Sequence, residues 1–121
     1  IRATEEKRLM HEALAEAKLI SACVTNSIQK TAEMMLQASQ QLHYLKFVLS
    51  NESVKHPKPH PEGYRLAMKM MGVEPEETLI VEDSPHGIES AVASGGNVMR
   101  VQGPSDVNWD NIKKELVHYG Y

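Results

Sequence analysis

Apolar residues recur at helical spacing over residues 4–18, with Leu9, Met10, Ala13, Leu14 and Ala17 falling on one side. The period then changes. Residues 19–24 read as a buried strand, and Thr25-Asn26-Ser27 follows as a turn and N-cap cluster. Ile28, Ala32, Met35 and Leu36 mark a second helix, and residues 45–49 a short strand. The three prolines of His56-Pro57-Lys58-Pro59-His60-Pro61 remove donors and push their neighbours toward extended geometry, which excludes regular structure there. Pro61 can open a third helix through Tyr64, Leu66, Ala67, Met70 and Met71, stopped by Gly72. A strand at 78–82, a helix from Pro85 to about Gly95-Gly96 and a strand at 97–101 come next. A polar linker over 102–108 leads to a terminal amphipathic helix carrying Trp109, Ile112 and Leu116. The order α-β-α-β-α-β-α-β-α predicts an α/β fold, a parallel sheet with helices on both faces. No repeat, low-complexity tract or internal boundary interrupts it, so residues 1–121 read as a single domain.

Composition narrows the function. The chain has 121 residues, 41% hydrophobic, with a net charge of -3, which gives no reason to expect nucleic acid or an anionic membrane as partner. No apolar run approaches a membrane span and no signal peptide is visible. The single Cys23 excludes an internal disulfide and fits a reducing, cytoplasmic setting. Set in an apolar run, it reads as a small buried hydrophobe rather than a nucleophile.

The candidate chemistry lies where strands end. The apolar run 79–81 stops at two adjacent carboxylates, Glu82 and Asp83, and Ser84-Pro85 supplies an N-cap and first helical position. Acids at the carboxyl end of a parallel strand lie where open α/β sheets bind ligands, and suit magnesium shared with a phosphate. The simpler alternative is a capped strand-to-helix turn. Thr25 follows the first strand, and its hydroxyl with the amide of Asn26 suits an anionic oxygen, or else is a plain N-cap. Lys58 sits between two prolines, a stiff mount for an ammonium that neutralises phosphate or carboxylate; a solvated lysine is the alternative, and Lys55 lacks the frame. His56 and His60 are four apart, a spacing that faces two metal ligands together on a helix. The prolines between them forbid a helix, so they read, with His86, as solvated or substrate-edge residues.

Taken together, Thr25-Asn26-Ser27, Lys58-Pro-His-Pro-Glu-Gly-Tyr64 and Glu82-Asp83-Ser84-Pro-His-Gly-Ile88 resemble the haloacid dehalogenase (HAD) superfamily. The resemblance is to its phosphatases and phosphosugar mutases similar to β-phosphoglucomutase and phosphoglycolate phosphatase, and covers about residues 5–101. Val73-Glu-Pro-Glu-Glu-Thr78 also matches the family's helix-to-strand link. The resemblance implies a Rossmann-like three-layer sheet, a small phosphorylated metabolite as substrate and Mg2+ as cofactor. It implies that Thr25 holds the transferring phosphoryl group and that Lys58 balances charge between nucleophile and phosphate. Asp83, helped by Glu82, would hold the magnesium. Such roles suit phosphoryl transfer, which is mostly positioning and charge neutralisation.

One departure matters. The family's first motif, Asp-x-Asp, supplies nucleophile and general acid/base, yet the three aspartates here are Asp83, Asp106 and Asp110. The motif and its strand, with the mobile cap that usually follows, should precede Ile1, which makes the chain a carboxyl-terminal portion of a HAD-like core. An incomplete gene, a designed fragment, proteolysis or a second polypeptide each accounts for that. The absent strand is central in the family, so strands 19–24 and 78–82 should pair directly, pair with another chain or leave donors unsatisfied. A homodimer or an amino-terminal segment would complete the sheet. The expected function is a phosphohydrolase or phosphomutase fragment, inactive alone. The alternative is a non-catalytic module that keeps the phosphate and metal pocket for sensing or assembly.

Overall fold

A computed structural model describes residues 2–121. Five helices alternate with four short strands: α1 (Arg2–Glu16), β1 (Cys23–Val24), α2 (Gln29–Ala38), β2 (Val48–Leu49), α3 (Glu62–Met71), β3 (Leu79–Glu82), α4 (Pro85–Ser94), β4 (Asn97–Arg100) and α5 (Trp109–His118). Single 3-10 turns at Leu42–Tyr44, Pro75–Glu77 and Pro104–Asp106 occupy connections that carry no periodic signal.

Local chemistry explains the helix boundaries. Gly72 ends α3 at φ +68°, a left-handed conformation that residues with a Cβ adopt only at a cost. Ser84 caps α4 by accepting the Gly87 N–H at 3.1 Å, and Pro85 takes the first position, where a missing N–H is harmless. At α2 the expectation fails. Its N-cap is Ile28, which offers no side-chain oxygen, and the Glu52 carboxylate instead accepts the Gln29 N–H at 2.8 Å. Thr25 Oγ1 accepts from the Ser27 N–H at 3.1 Å, so this cluster closes its own turn two residues before the helix starts.

The strands form two parallel pairs, β1 with β2 and β3 with β4. Alternation along β3 and β4 divides the core into two layers. Ile80 joins Tyr64 and Met68 of α3 and Ala91 of α4, with Val24, Val73 and Val98 against them. Leu79 and Val81 turn the other way, toward Met10 of α1, Met99 of β4 and Ile112 of α5. Helices therefore cover both faces, as an α/β alternation requires.

β1 and β3 do not pair with each other. Cys23 and Thr25 donate to Phe47 and Leu49, so the alternate residues Ala22 and Val24 aim their backbone groups away from β2. Asn97 and Val101 donate to Thr78 and Glu82, so Leu79 and Val81 aim theirs away from β4. Between these two free edges lies a cleft of about 670 Å³, lined by Ala22, Val24, Leu79 and Val81 among others. The cleft explains why only residues 23–24 of the expected strand 19–24 have strand geometry: the segment has a partner on one side only. Ile20 remains 66% exposed, although a central parallel strand is covered on both faces.

His11 on α1 is buried, stacked on Tyr44 at 4.8 Å and hydrogen-bonded through Nε2 to Gln41 at 3.1 Å. Burial, the leading cause, moves its pKa below the ordinary 6.5, so the folded state favours the neutral ring. The unfolded chain then binds the extra proton first, and stability falls as the pH drops through about 6.5. Urea midpoints measured between about pH 7 and pH 5.5 should fall for the parent and fall less steeply for His11→Gln.

Candidate active site

Lys58 links the two strand pairs. Its Nζ donates to the backbone oxygen of Val24, the last residue of β1, at 2.8 Å, and forms an ion pair with Glu82 Oε2 at the end of β3. The side chains are 13% and 7% exposed, so the pair lies in a largely water-excluded setting. Both strands therefore bring their carboxyl ends to one ammonium. An ammonium has three donors, and these contacts take two, leaving one for an incoming anion.

The mount of Lys58 is as specific as its contacts. Asn26 brackets the Lys58 backbone: its Oδ1 accepts the Lys58 N–H at 3.0 Å and its Nδ2 donates to the Lys58 oxygen at 3.2 Å. Ser90 Oγ on α4 donates to the His60 oxygen at 2.7 Å, tying down the other end of the loop. Tyr64 on α3 donates its hydroxyl to the same Glu82 Oε2, and its ring lies 5.0 Å from Lys58 Nζ. Burial first, then the Glu82 carboxylate, pushes the Tyr64 phenol well up, so it stays a proton donor at any ordinary pH. Burial likewise raises the Cys23 thiol, with Lys58 opposing, which agrees with a structural cysteine.

Gly87 belongs to this site for a steric reason. A Cβ there would overlap the Glu82 carboxylate, so the first turn of α4 can lie against Glu82 only because residue 87 has no side chain. Asp83, one residue on, is exposed and takes part in no ion pair among the described residues.

Thr25, Asn26, Lys58, Glu82 and Asp83 thus gather at one edge of the strands, with different degrees of freedom. Thr25 and Lys58 line the cleft together with Glu82 and Tyr64. The Asn26 side chain is spent on the Lys58 backbone, and Glu82 on Lys58 and Tyr64. Asp83 alone keeps an uncommitted carboxylate. Sequence reasoning assigned no role to Tyr64 or Gly87, although both stand inside the quoted motifs; a glycine in the first turn of a helix, which costs stability there, was the available signal. His56 and His60, four apart in a proline-rich loop, stack at 4.8 Å after all, because a turn from Pro57 to His60 folds the loop back.

The model of the haloacid dehalogenase-like hydrolase family matches residues 2–101. The chain belongs to that family. Pyrophosphatase PpaX of Bacillus mycoides is 32% identical over 100 residues, covering 80% of this chain and 46% of that protein. Hexitol phosphatase A of Escherichia coli is 42% identical over 55 residues, 46% of this chain and 26% of that one. Among solved structures, a HAD-superfamily hydrolase of subfamily IA from Geobacter sulfurreducens superposes with a TM-score of 0.73 at 25% identity, covering 85% of this chain and 57% of that chain. β-Phosphoglucomutase of Clostridium difficile superposes with a TM-score of 0.77 over 94% and 56%, at 16% identity, a likeness of fold. The chain spans about half, 46% and 44%, of the PpaX relatives it matches.

Two substitutions test the site as built. Tyr64→Phe leaves the cavity filled but removes a buried donor from Glu82, and should destabilise the chain by about 1–3 kcal/mol in urea unfolding. Gly87→Ala forces Glu82 off its place and should lower the urea midpoint, whereas an ordinary glycine-to-alanine change in a helix stabilises by up to about 1 kcal/mol.

Proposed function

We propose that these 121 residues carry the phosphate-binding and metal-holding part of a Mg2+-dependent phosphohydrolase or phosphomutase acting on a small phosphorylated metabolite. They form one partial HAD-like core domain. A strand from outside the 121 residues supplies the nucleophile. The reading rests on one observation: Lys58 joins the carboxyl ends of β1 and β3 at the mouth of a cleft with two unpaired backbone edges. Strands in a sheet lie about 4.8 Å apart, and one extended segment between these edges would satisfy both. A carboxylate at its carboxyl end would meet the remaining Lys58 donor and stand beside Thr25.

In this reading Thr25 holds the phosphoryl oxygens through its hydroxyl. Lys58, the catalytic lysine of the chain, neutralises both the phosphate and the attacking carboxylate. Asn26 contributes by fixing the Lys58 backbone next to the phosphate. Asp83 is the principal metal ligand, because an exposed, uncommitted carboxylate at a strand end fits a hard cation that prefers oxygen. Glu82 orients Lys58 and supports the metal edge. Bound magnesium would supply charge neutralisation at the phosphate. The names of PpaX and hexitol phosphatase A suit a phosphorylated metabolite as substrate. No helix among the described residues is long and apolar enough to cross a membrane, and the unbonded Cys23 suits the cytoplasm.

Activity is the test. The isolated chain should hydrolyse p-nitrophenyl phosphate no faster than its Lys58→Ala variant, since Asp106 and Asp110 lie beyond β4 and neither lines the cleft. Co-expression with a segment carrying an Asp-x-Asp strand should give Mg2+-dependent turnover that Lys58→Ala abolishes. Turnover by the isolated chain at an ordinary enzymatic rate would overturn the assignment of the nucleophile. A complemented complex that binds phosphate but never turns over would favour a non-catalytic module. Calorimetric titration should show weak Mg2+ binding that Asp83→Asn removes, and equal binding by both would remove Asp83 from the metal site.

A further inference from the structure

The loop that mounts Lys58 carries a second cluster on its outer side. The turn in which the His60 N–H donates to the Pro57 oxygen at 3.0 Å folds residues 56–60 back on themselves. It leaves the His56 and His60 rings stacked at 4.8 Å, 28° from parallel, and the first residue of α3, Glu62, beside them. One ligand atom from each of His56, His60 and Glu62 lies within 4.8 Å of the other two.

We propose that His56, His60 and Glu62 form a binding site for a divalent transition-metal ion of the zinc or nickel type, distinct from the Mg2+ site proposed at Asp83.

The donor set is two imidazoles and a carboxylate, which suits zinc, nickel or copper and is too rich in nitrogen for magnesium. Around a tetrahedral zinc with bonds of about 2.0–2.1 Å, neighbouring donors stand about 3.3 Å apart. His56 Nδ1 and Glu62 Oε1 are 2.9 Å apart, and the His56 and Glu62 side chains are 62% and 32% exposed, free to open by the difference. Three protein donors leave a fourth position for water.

Binding would cost few existing contacts. The ion takes the place of the single hydrogen bond between His56 Nδ1 and Glu62 Oε1. His60 Nδ1 now accepts the Glu62 N–H at 3.0 Å. When that lone pair turns to the ion, the freed N–H lies in the first turn of α3, where water can satisfy it. Glu62 Oε2 keeps the Lys55 N–H at 2.9 Å, so the carboxylate stays anchored while Oε1 ligates. Of the two loop lysines, Lys58 turns inward and is neutralised by Glu82, and Lys55 is exposed to solvent.

The ion would clamp the loop from outside while Asn26 and Ser90 hold it from inside. Lys58 lies two residues from each histidine, so its position would become stiffer.

Zn2+ alone, titrated into the whole chain against a chromophoric chelator, is the test. One ion should bind per chain, and His56→Ala and His60→Ala should each weaken binding by at least about tenfold. Glu62→Gln should also weaken it, whereas His86→Ala and Asp83→Asn should leave it unchanged. All three ligands are partly or fully exposed, so loss of fold is not expected, and circular dichroism checks it. In parallel, histidine ring resonances followed by NMR should shift at His56 and His60 and not at His86. The proposal is overturned if no Zn2+ binds, if the His56 and His60 variants bind as the parent does, or if the resonances that move belong to other histidines.

Discussion

The Lys58–Glu82 ion pair is the interaction on which the arrangement depends. Without a ladder between β1 and β3, the backbone does not connect the two strand pairs through hydrogen bonds. Lys58 does so with one atom, holding Val24 of one pair and Glu82 of the other. Two charges taken so far out of water gain little over a well-packed apolar pair, because desolvation offsets most of their attraction. Removing one partner is different, since it strands the other, at about 3–5 kcal/mol. The pair is therefore poor as a source of stability and strong as a constraint on geometry. Tyr64 and Gly87 make sense in that light. One gives Glu82 a second hydrogen bond, and the other gives it room.

The cleft shows what the constraint does not supply. A parallel strand covered by helices on both faces normally spends its backbone groups on two neighbours, and β1 and β3 each spend theirs on one. Unpaired N–H and C=O groups in an apolar slot are costly unless water or another strand reaches them. Free edges of this kind also invite association with the wrong partner. The exposure of Ile20 beside the slot follows from the same vacancy between the pairs.

Much of this was legible from residue order. Helices α3 and α4 begin and end, and α5 begins, within a residue or two of where Pro61, Gly72, Pro85, Gly95 and Asn108 mark them, because caps and proline positions act locally. The gathering of Thr25, Lys58, Glu82 and Asp83 at one edge followed from α/β alternation, which sends the ends of parallel strands the same way. Strand 19–24 was overextended because its apolar run says nothing about whether a neighbour exists. The N-cap of α2 went astray because Glu52, more than twenty residues away, supplies the acceptor that Thr25 and Ser27 were expected to give. His56 and His60 were separated by an argument valid for helices only; a tight turn closes the same spacing by another route.

Within the acidic pair, the environment of each carboxylate is set by which way the strand alternates. β3 sends Ile80 and Glu82 to the side of α3, where Tyr64 and Lys58 are waiting, and the alternation puts Asp83 past the end of the strand. Two neighbouring carboxylates with similar intrinsic chemistry thus acquire opposite environments, one buried and bonded on the same oxygen by an ammonium and a phenol, the other exposed. A carboxylate already neutralised by an ammonium attracts a cation weakly, whereas an uncommitted one keeps its full charge for a cation. The same pleat that hides Glu82 therefore leaves Asp83 as the acid with charge to offer, one residue from the glutamate that holds Lys58.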